Sequence, residues 1–204
     1  MKKIISAIIV LCAITLAANA QNHEGVYMGG GLTWATTNIG ADSEIANGNY
    51  YAWSEKDIAA EQWGDEWRTP THEELLWLTS TSYTWEWNEA RNGWKITYKY
   101  NGNSIFLPAA GYYDGDKFVN TKQYGKYWSS VDHTYIVGLL GYSDPKAPVP
   151  IQPDEAYLLL FGDLGHVVTD DAKSLRCSIR AVKGEINSDK YKEEGAVIEK
   201  DIPD

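Results

Sequence analysis

The chain has 204 residues, a formal net charge of −10, 44% hydrophobic and 13% aromatic side chains, and two cysteines. That acidity repels phosphate backbones, so nucleic acid is not an expected partner. Nine Trp and fourteen Tyr stand against three Phe, a bias toward rings with a polar handle that suits half-exposed binding faces.

Residues 1–20 read as a signal peptide: "MKK" is a positive n-region, "IISAIIVLCAITLA" an apolar run, and "ANA" ends at Ala20 with small residues. The run is shorter than the ~20 apolar residues of a spanning helix. No membrane insertion is therefore expected after cleavage, and the chain is read as exported to the periplasm or the cell exterior. Leu11 precedes Cys12, where a lipidated cysteine needs a small residue, so a lipoprotein is not expected. Cleavage removes two lysines, which makes the chain more acidic still, and leaves Cys177 as the only thiol. No intrachain disulfide can then form. Residues 21–184 are expected to make one domain, long enough to bury most of its apolar surface, with 185–204 as an acidic tail.

The stretch "GVYMGGGLTWATTNIGADSEIANGNYYAW", beginning at Gly25, holds short β-prone runs cut by Gly and Asn and predicts strands and turns. Residues 55–65 carry Ile58, Ala59 and Gln62 at near-helical spacing and form a short helix or a loop. In "WRTPTHEELLWL" the pair Thr71 and Glu74 has the spacing of a capping box. Pro70 marks the boundary. Glu73 and Glu74 meet the positive end of the helix dipole, each worth roughly 0.3 to 1 kcal/mol. Leu75, Leu76 and Leu78 are the expected buried stripe, and His72 is read as exposed. Beyond the helix, "GWKITYKY" and "SIFLPAAGYYDG" flank Asn101-Gly102, a strong hairpin signal. "GKYWSS", "AYLLLFG", "GHVVTDD" and "LRCSIRAV" are further strand candidates. Residues 131–155 carry four prolines in a connection long enough to be functional. The tail has seven acids and three lysines and reads as solvated, with Ala196-Val197-Ile198 able to dock as an edge strand.

His72-Glu73-Glu74-Leu75-Leu76 falls one residue short of the zinc motif H-E-x-x-H, which needs imidazoles at i and i+4 on one helix face. The four histidines, His23, His72, His133 and His166, match no ligand spacing. Neighbouring Glu73 and Glu74 point about 100° apart on a helix and make no acid–base pair. Cys177 sits in an alternating run without an adjacent histidine and reads as a buried thiol. Ser129 and Ser130 lack a Gly-x-Ser-x-Gly elbow. Asp114-Gly115-Asp116 reads as a hairpin turn before it reads as a calcium loop, and Asp170 with Asp171 are discounted likewise. The expectation is a protein without a catalytic set or cofactor, with zinc set aside and calcium kept as the one alternative ion.

The rings Tyr50, Tyr51, Trp53, Tyr112, Tyr113, Tyr127, Trp128 and Tyr142 are the most informative set. Flat rings stack on the apolar faces of sugars, and in alternating strands about half point inward. The ligand-binding candidates are Tyr112, Tyr113, Asp114, Tyr127 and Trp128, joined by His133, Tyr135 and Tyr142 of the long connection.

Taken in order, "GLTWATTNIGA", "NGNYYAWSE", "WGDEWRTPTHEELLWL", "WKITYKYNGNSIFLPAAGYYDG", "GKYWSS" and "SLRCSIRAV" resemble the hallmarks of the Fibrobacter succinogenes major paralogous domain. That family is common in exported proteins of gut and rumen Bacteroidetes, and the likeness spans roughly residues 25–184. It implies an α+β, C-type-lectin-like fold of small antiparallel sheets, one or two helices and long loops. The fold is distantly related to the sulfatase-modifying factors, whose "R-L-P-T-E-A-E-W-E" is similar to Arg68 through Trp77. The resemblance implies a core helix at Thr71 to Thr79, Tyr127-Trp128 on a central strand, and Leu175 to Val182 as a closing strand near the N-terminus. Sulfatase activators use a late cysteine pair or a copper-bound pair, and Cys177 alone does not carry that activity over. Gln152-Pro153-Asp154 is similar to one calcium signature of lectins, but Trp128 is followed by Ser129-Ser130, so the second is absent. The expected function is a non-enzymatic exported module that binds an extracellular glycan or a surface protein through loops and aromatics. The alternatives are a structural subunit of a surface appendage and a divergent enzyme related to the sulfatase-modifying factors.

Overall fold

The computed structural model describes residues 23–119, 123–132 and 154–187. Strands β1 (Gly25–Tyr27) and β2 (Thr33–Ala35) form a hairpin, and β13 (Val182–Lys183) pairs with the other side of β2. After β3 (Tyr51–Ala52) come two short helices, α1 (Ile58–Trp63) and α2 (His72–Leu78). A meander follows, β4 (Tyr83–Asn88), β5 (Gly93–Tyr98) and β6 (Ser104–Pro108). The hairpin of β7 (Tyr112–Asp114) and β8 (Lys117–Val119) joins β12 (Arg176–Cys177) and β3 in a sheet ordered β3-β12-β7-β8. The longest strands, β9 (Gly125–Asp132), β10 (Glu155–Gly162) and β11 (Gly165–Ala172), are ordered β11-β10-β9. The described residues are thus mostly small antiparallel sheets with two short helices, which fits an α+β or a mostly-β class.

Both helices begin where a side chain replaces missing backbone partners. At α2 the Glu74 amide donates to Thr71 Oγ1 at 3.3 Å and the Thr71 amide to Glu74 Oε2 at 2.8 Å, the expected capping box. Glu74 does more than cap: it is 2% exposed and receives both guanidinium nitrogens of Arg68, at 2.7 and 2.5 Å. Arg68 also donates to the Gly184 carbonyl, so this pair ties the helix start to the C-terminal strand. Leu75 and Leu78 are buried, but Leu76 is 44% exposed. The expected stripe has two leucines because a residue one position on lies about 100° around the helix. His72 is half-buried with its ring edge-on to Tyr157 at 4.4 Å, which corrects the exposed reading. At α1 Asp57 accepts from the amides of Ala59 and Ala60 and from the amide and hydroxyl of Thr69. One cap therefore joins α1 to the segment leading into α2.

The turns form where their chemistry predicts. Gly102, with φ 76°, follows Asn101, whose Oδ1 accepts the Asn103 amide at 2.8 Å. Gly115, with φ 56°, closes β7 onto β8 opposite the Asp114–Lys117 pair.

The β9–β10 pair organises the interior. Tyr127, Leu159 and Phe161 enter one cluster with Trp34, Leu75, Leu78, Ile96 and Leu107. Trp128, Ala156 and Leu158 enter another with Ala59, Trp67, Cys177 and Ile179. Adjacent strand residues point to opposite faces, and both faces here are covered. β10 is the central strand of this sheet, whereas β9, implied to be central, lies at its margin and meets Gly111 and Ser178 through isolated parallel bridges. Of the implied closing strand, Leu175 to Val182, the two ends are paired, with β13 beside β2 near the N-terminus.

A cation lies inside. Arg180 is 1% exposed and donates to Asn38 Oδ1 at 2.9 Å and to the carbonyls of Ala35, Thr36 and Phe106 at 3.0, 2.9 and 2.9 Å. Asn38 in turn donates to the Tyr127 hydroxyl, which donates to the Pro108 carbonyl at 2.7 Å. Burial lowers the guanidinium pKa to about 10, so it stays charged at neutral pH, and neutral oxygens satisfy it. The network joins segments far apart in sequence.

Candidate functional site

The structure scatters the sequence candidates. Tyr112 and Tyr113 are consecutive on β7 and so face opposite ways. Tyr112 packs against the second core cluster, with the Lys126 ammonium 3.8 Å from its ring centre. Tyr113 sits with Tyr50 at 5.1 Å and the exposed Phe118 at 4.8 Å, the Arg176 guanidinium lying 4.6 Å over its ring. Asp114 is exposed beside the hairpin turn. Tyr127 and Trp128 are each 1% exposed, which corrects their placement as ligand-facing rings: at these two positions a core cluster covers each face of the strand. His133, Tyr135 and Tyr142 lie outside the described residues.

A cleft of about 190 Å³ opens instead where the end of β3, the start of α1 and β9 converge. Trp53, Ile58 and the buried Trp128 line its apolar side, and Ser54, Glu55, Lys56 and Ser130 give it polar rim. The indoles are fixed by their N–H groups: Trp53 Nε1 donates to the Ser129 carbonyl at 3.0 Å, and Trp128 Nε1 to the Tyr51 carbonyl at 2.9 Å. Rings held in this way lose little freedom when a ligand arrives. Ser54 Oγ accepts the Lys56 amide at 3.1 Å, so its proton is directed elsewhere.

Lys173 braces this wall from four directions. Its carbonyl accepts the Trp53 amide at 3.1 Å, and its ammonium lies 4.4 Å from the Trp53 ring centre. The same ammonium is 3.1 Å from Asp132 Oδ2, while the Lys173 amide donates to the Asp154 carbonyl at 2.7 Å. Asp132 and Asp154 flank residues 133–153, so the residue that positions Trp53 also holds both stems of the long connection.

Trp53 belonged to the informative ring set but not to the named candidates, and Ser54, Glu55, Lys56 and Lys173 were missed. The available signal was the helix start at Asp57, which marks a loop-to-helix corner. Nothing local announces that β9 and Lys173 pack onto it.

Other chemistry-bearing groups are engaged structurally. Cys177 is fully buried, and burial pushes its thiol well above the ordinary range, away from the thiolate a nucleophile needs. His23 stacks on Trp63 at 3.8 Å and His166 on Trp85 at 3.9 Å. Burial lowers the pKa of His23, His72 and His166 alike. Among the described residues no group of three or more His, Cys, Asp or Glu could hold a metal ion, and no helix is long and apolar enough to cross a membrane. Compared with family models, curated proteins and solved structures, the chain matches none of them.

Proposed function

We propose that the chain is an exported, non-enzymatic recognition module of C-type-lectin-like fold that binds an extracellular glycan in the cleft beside Trp53. One observation carries this reading: a fixed indole ring is bordered by a hydroxyl, a carboxylate and an ammonium around about 190 Å³ of space. The ring offers a stacking surface for sugar C–H groups, and the polar rim matches hydroxyls that both donate and accept. The volume lies below the roughly 300 to 1,000 Å³ of sites for drug-sized ligands, which suits about one sugar unit. The leader sequence supports export. The β1-β2-β13 closure and the packing of α2 on β9 and β10 support the lectin-like assignment. Among the described residues the one thiol, that of Cys177, is buried, which weighs against the enzymatic alternative.

A protein partner is the second reading, favoured by the tip of the β10–β11 hairpin. Leu164 there is 97% exposed, with Val167 at 51% on the same hairpin. An apolar side chain fully in water at a turn is the kind of feature that a structural subunit would cover.

A glycan array probed with the mature chain tests the leading reading. Retention of a glycan that is lost with Trp53→Ala is the expected result. The reading fails if no glycan is retained at micromolar affinity, or if the Trp53→Ala variant binds as well as the parent.

A further inference from the structure

Resting on that glycan reading, we infer that the cleft selects an uncharged sugar ring and turns away uronate, sulfated and phosphorylated units. The charges on its lining decide the class. Two carboxylates, Glu55 and Asp57, face one ammonium, Lys56. Asp57 is engaged internally by three backbone amides and the Thr69 hydroxyl, at 2.9 to 3.2 Å. Glu55 and Lys56 are exposed and adjacent.

An anionic substituent entering this space meets a lining with net negative charge, on a chain whose formal charge is −10. No arginine is among the lining residues, so the bidentate fork that recognises carboxylate, sulfate or phosphate is missing there. The nearby ammonium of Lys173 is committed to Asp132 and to the Trp53 ring. An uncharged polyol uses the exposed groups of the rim. Glu55 accepts from ring hydroxyls, Lys56 and the Ser54 hydroxyl donate to ring oxygens, and Trp53 stacks on the C–H face.

The test titrates the full exported chain, at one ionic strength, with methyl glycosides of glucose, galactose and N-acetylglucosamine, and with glucuronic acid and glucose 6-sulfate. The readout is the NMR signal of the Trp53 indole N–H and of the amides from Ser54 to Lys56. At least one uncharged sugar is expected to move these signals with an affinity roughly tenfold or more above either anion, as one like-charge contact of ~1.4 kcal/mol requires. The exposed substitution Glu55→Gln should narrow that gap. Anions binding as tightly as the neutral sugars at these signals would overturn the inference and leave the glycan reading standing. If no sugar of either class moves the cleft signals, the glycan reading itself is overturned.

Discussion

Between the β4–β6 meander and the β10–β11 hairpin, Trp85 and Trp94 donate their indole N–H groups to the carbonyls of Leu78 and Gly162 at 3.0 and 2.9 Å. Trp87 donates to Glu89 Oε2 at 2.8 Å. At the cleft, Trp53 and Trp128 are pinned by the same kind of bond. What differs is the company of the rings. In the seam they meet one another, Trp94 lying 5.8 Å from Trp85 and 5.5 Å from Trp87, with His166 flat on Trp85. At the cleft Trp128 is buried in the second core cluster, and Trp53 shares the lining with Ser54, Glu55 and Lys56. A satisfied N–H makes an indole rigid in both places. The polar neighbours set Trp53 apart from the seam rings, and the recognition role proposed for it rests on them.

The largest expected effect that separates the two regions is on stability. Trp94→Ala removes a half-buried ring from the seam and should cost about 3 kcal/mol, at the low end for such truncations. Urea unfolding measures it, and the folded fraction should bind as before. A loss below about 1 kcal/mol would erase the distinction between seam and cleft. Trp53→Ala should do the reverse, lowering glycan affinity by roughly tenfold or more, about 1.4 kcal/mol, with a smaller loss of stability. Calorimetry and melting of the same variant would show whether the two quantities separate.

A smaller effect is written into the seam as pH dependence. Burial holds His166 below its ordinary pKa of 6.5, and His72 and His23 shift the same way. The unfolded chain then takes up protons first as pH falls, so stability present above pH 6.5 is lost between 6.5 and the lower folded-state values. Thermal melts from pH 7.5 to 5 should show the decline, and His166→Phe should make it shallower, leaving the share of His72 and His23. An unchanged slope in that variant would assign the decline elsewhere. The smallest effect is at the cleft wall. Lys173→Met keeps the apolar stem against Trp53 and removes the cation from the ring and from Asp132, at a cost of about 0.5 to 1 kcal/mol. Should the loss exceed about 3 kcal/mol, Lys173 belongs to the scaffold and not to the wall.

The local features were legible because their causes are local. The Thr71 and Glu74 box, the Asn101-Gly102 hairpin and the Gly115 turn each depend on residues within a few positions, and each forms as read. The strands of β9 and β10 were legible as strands, but their covering was not. Alternation predicts that one parity of a strand is wet, and Tyr127-Trp128 fails that expectation because separate core clusters cover both faces of β9 at these two positions. Arg180 shows the same limit: in "LRCSIRAV" it has the pattern of an outward residue, and only the arrival of Asn38 and three distant carbonyls makes its burial tolerable. The cleft was the least legible part, since Trp53, Thr69, Ser129 and Ile179 are brought together by topology and not by spacing.

The three-stranded sheet at the termini has a mechanical consequence. β1 and β13 both run antiparallel to β2, so they are parallel to each other, with Gly25 level with Ala35 and Lys183 level with Thr33. Tension applied between the two ends of the domain pulls Gly25 and Lys183 in opposite directions along the strand axis. The backbone bonds of β2 to its two neighbours are then sheared together and do not open one by one. Resistance to force is set by the unfolding rate, and the Arg68–Glu74 pair, reaching Gly184 just beyond β13, would have to yield in the same step. A pull on both ends would load this small sheet, together with the Asn187 amide bonded to the Gly30 carbonyl, before it loaded the cleft.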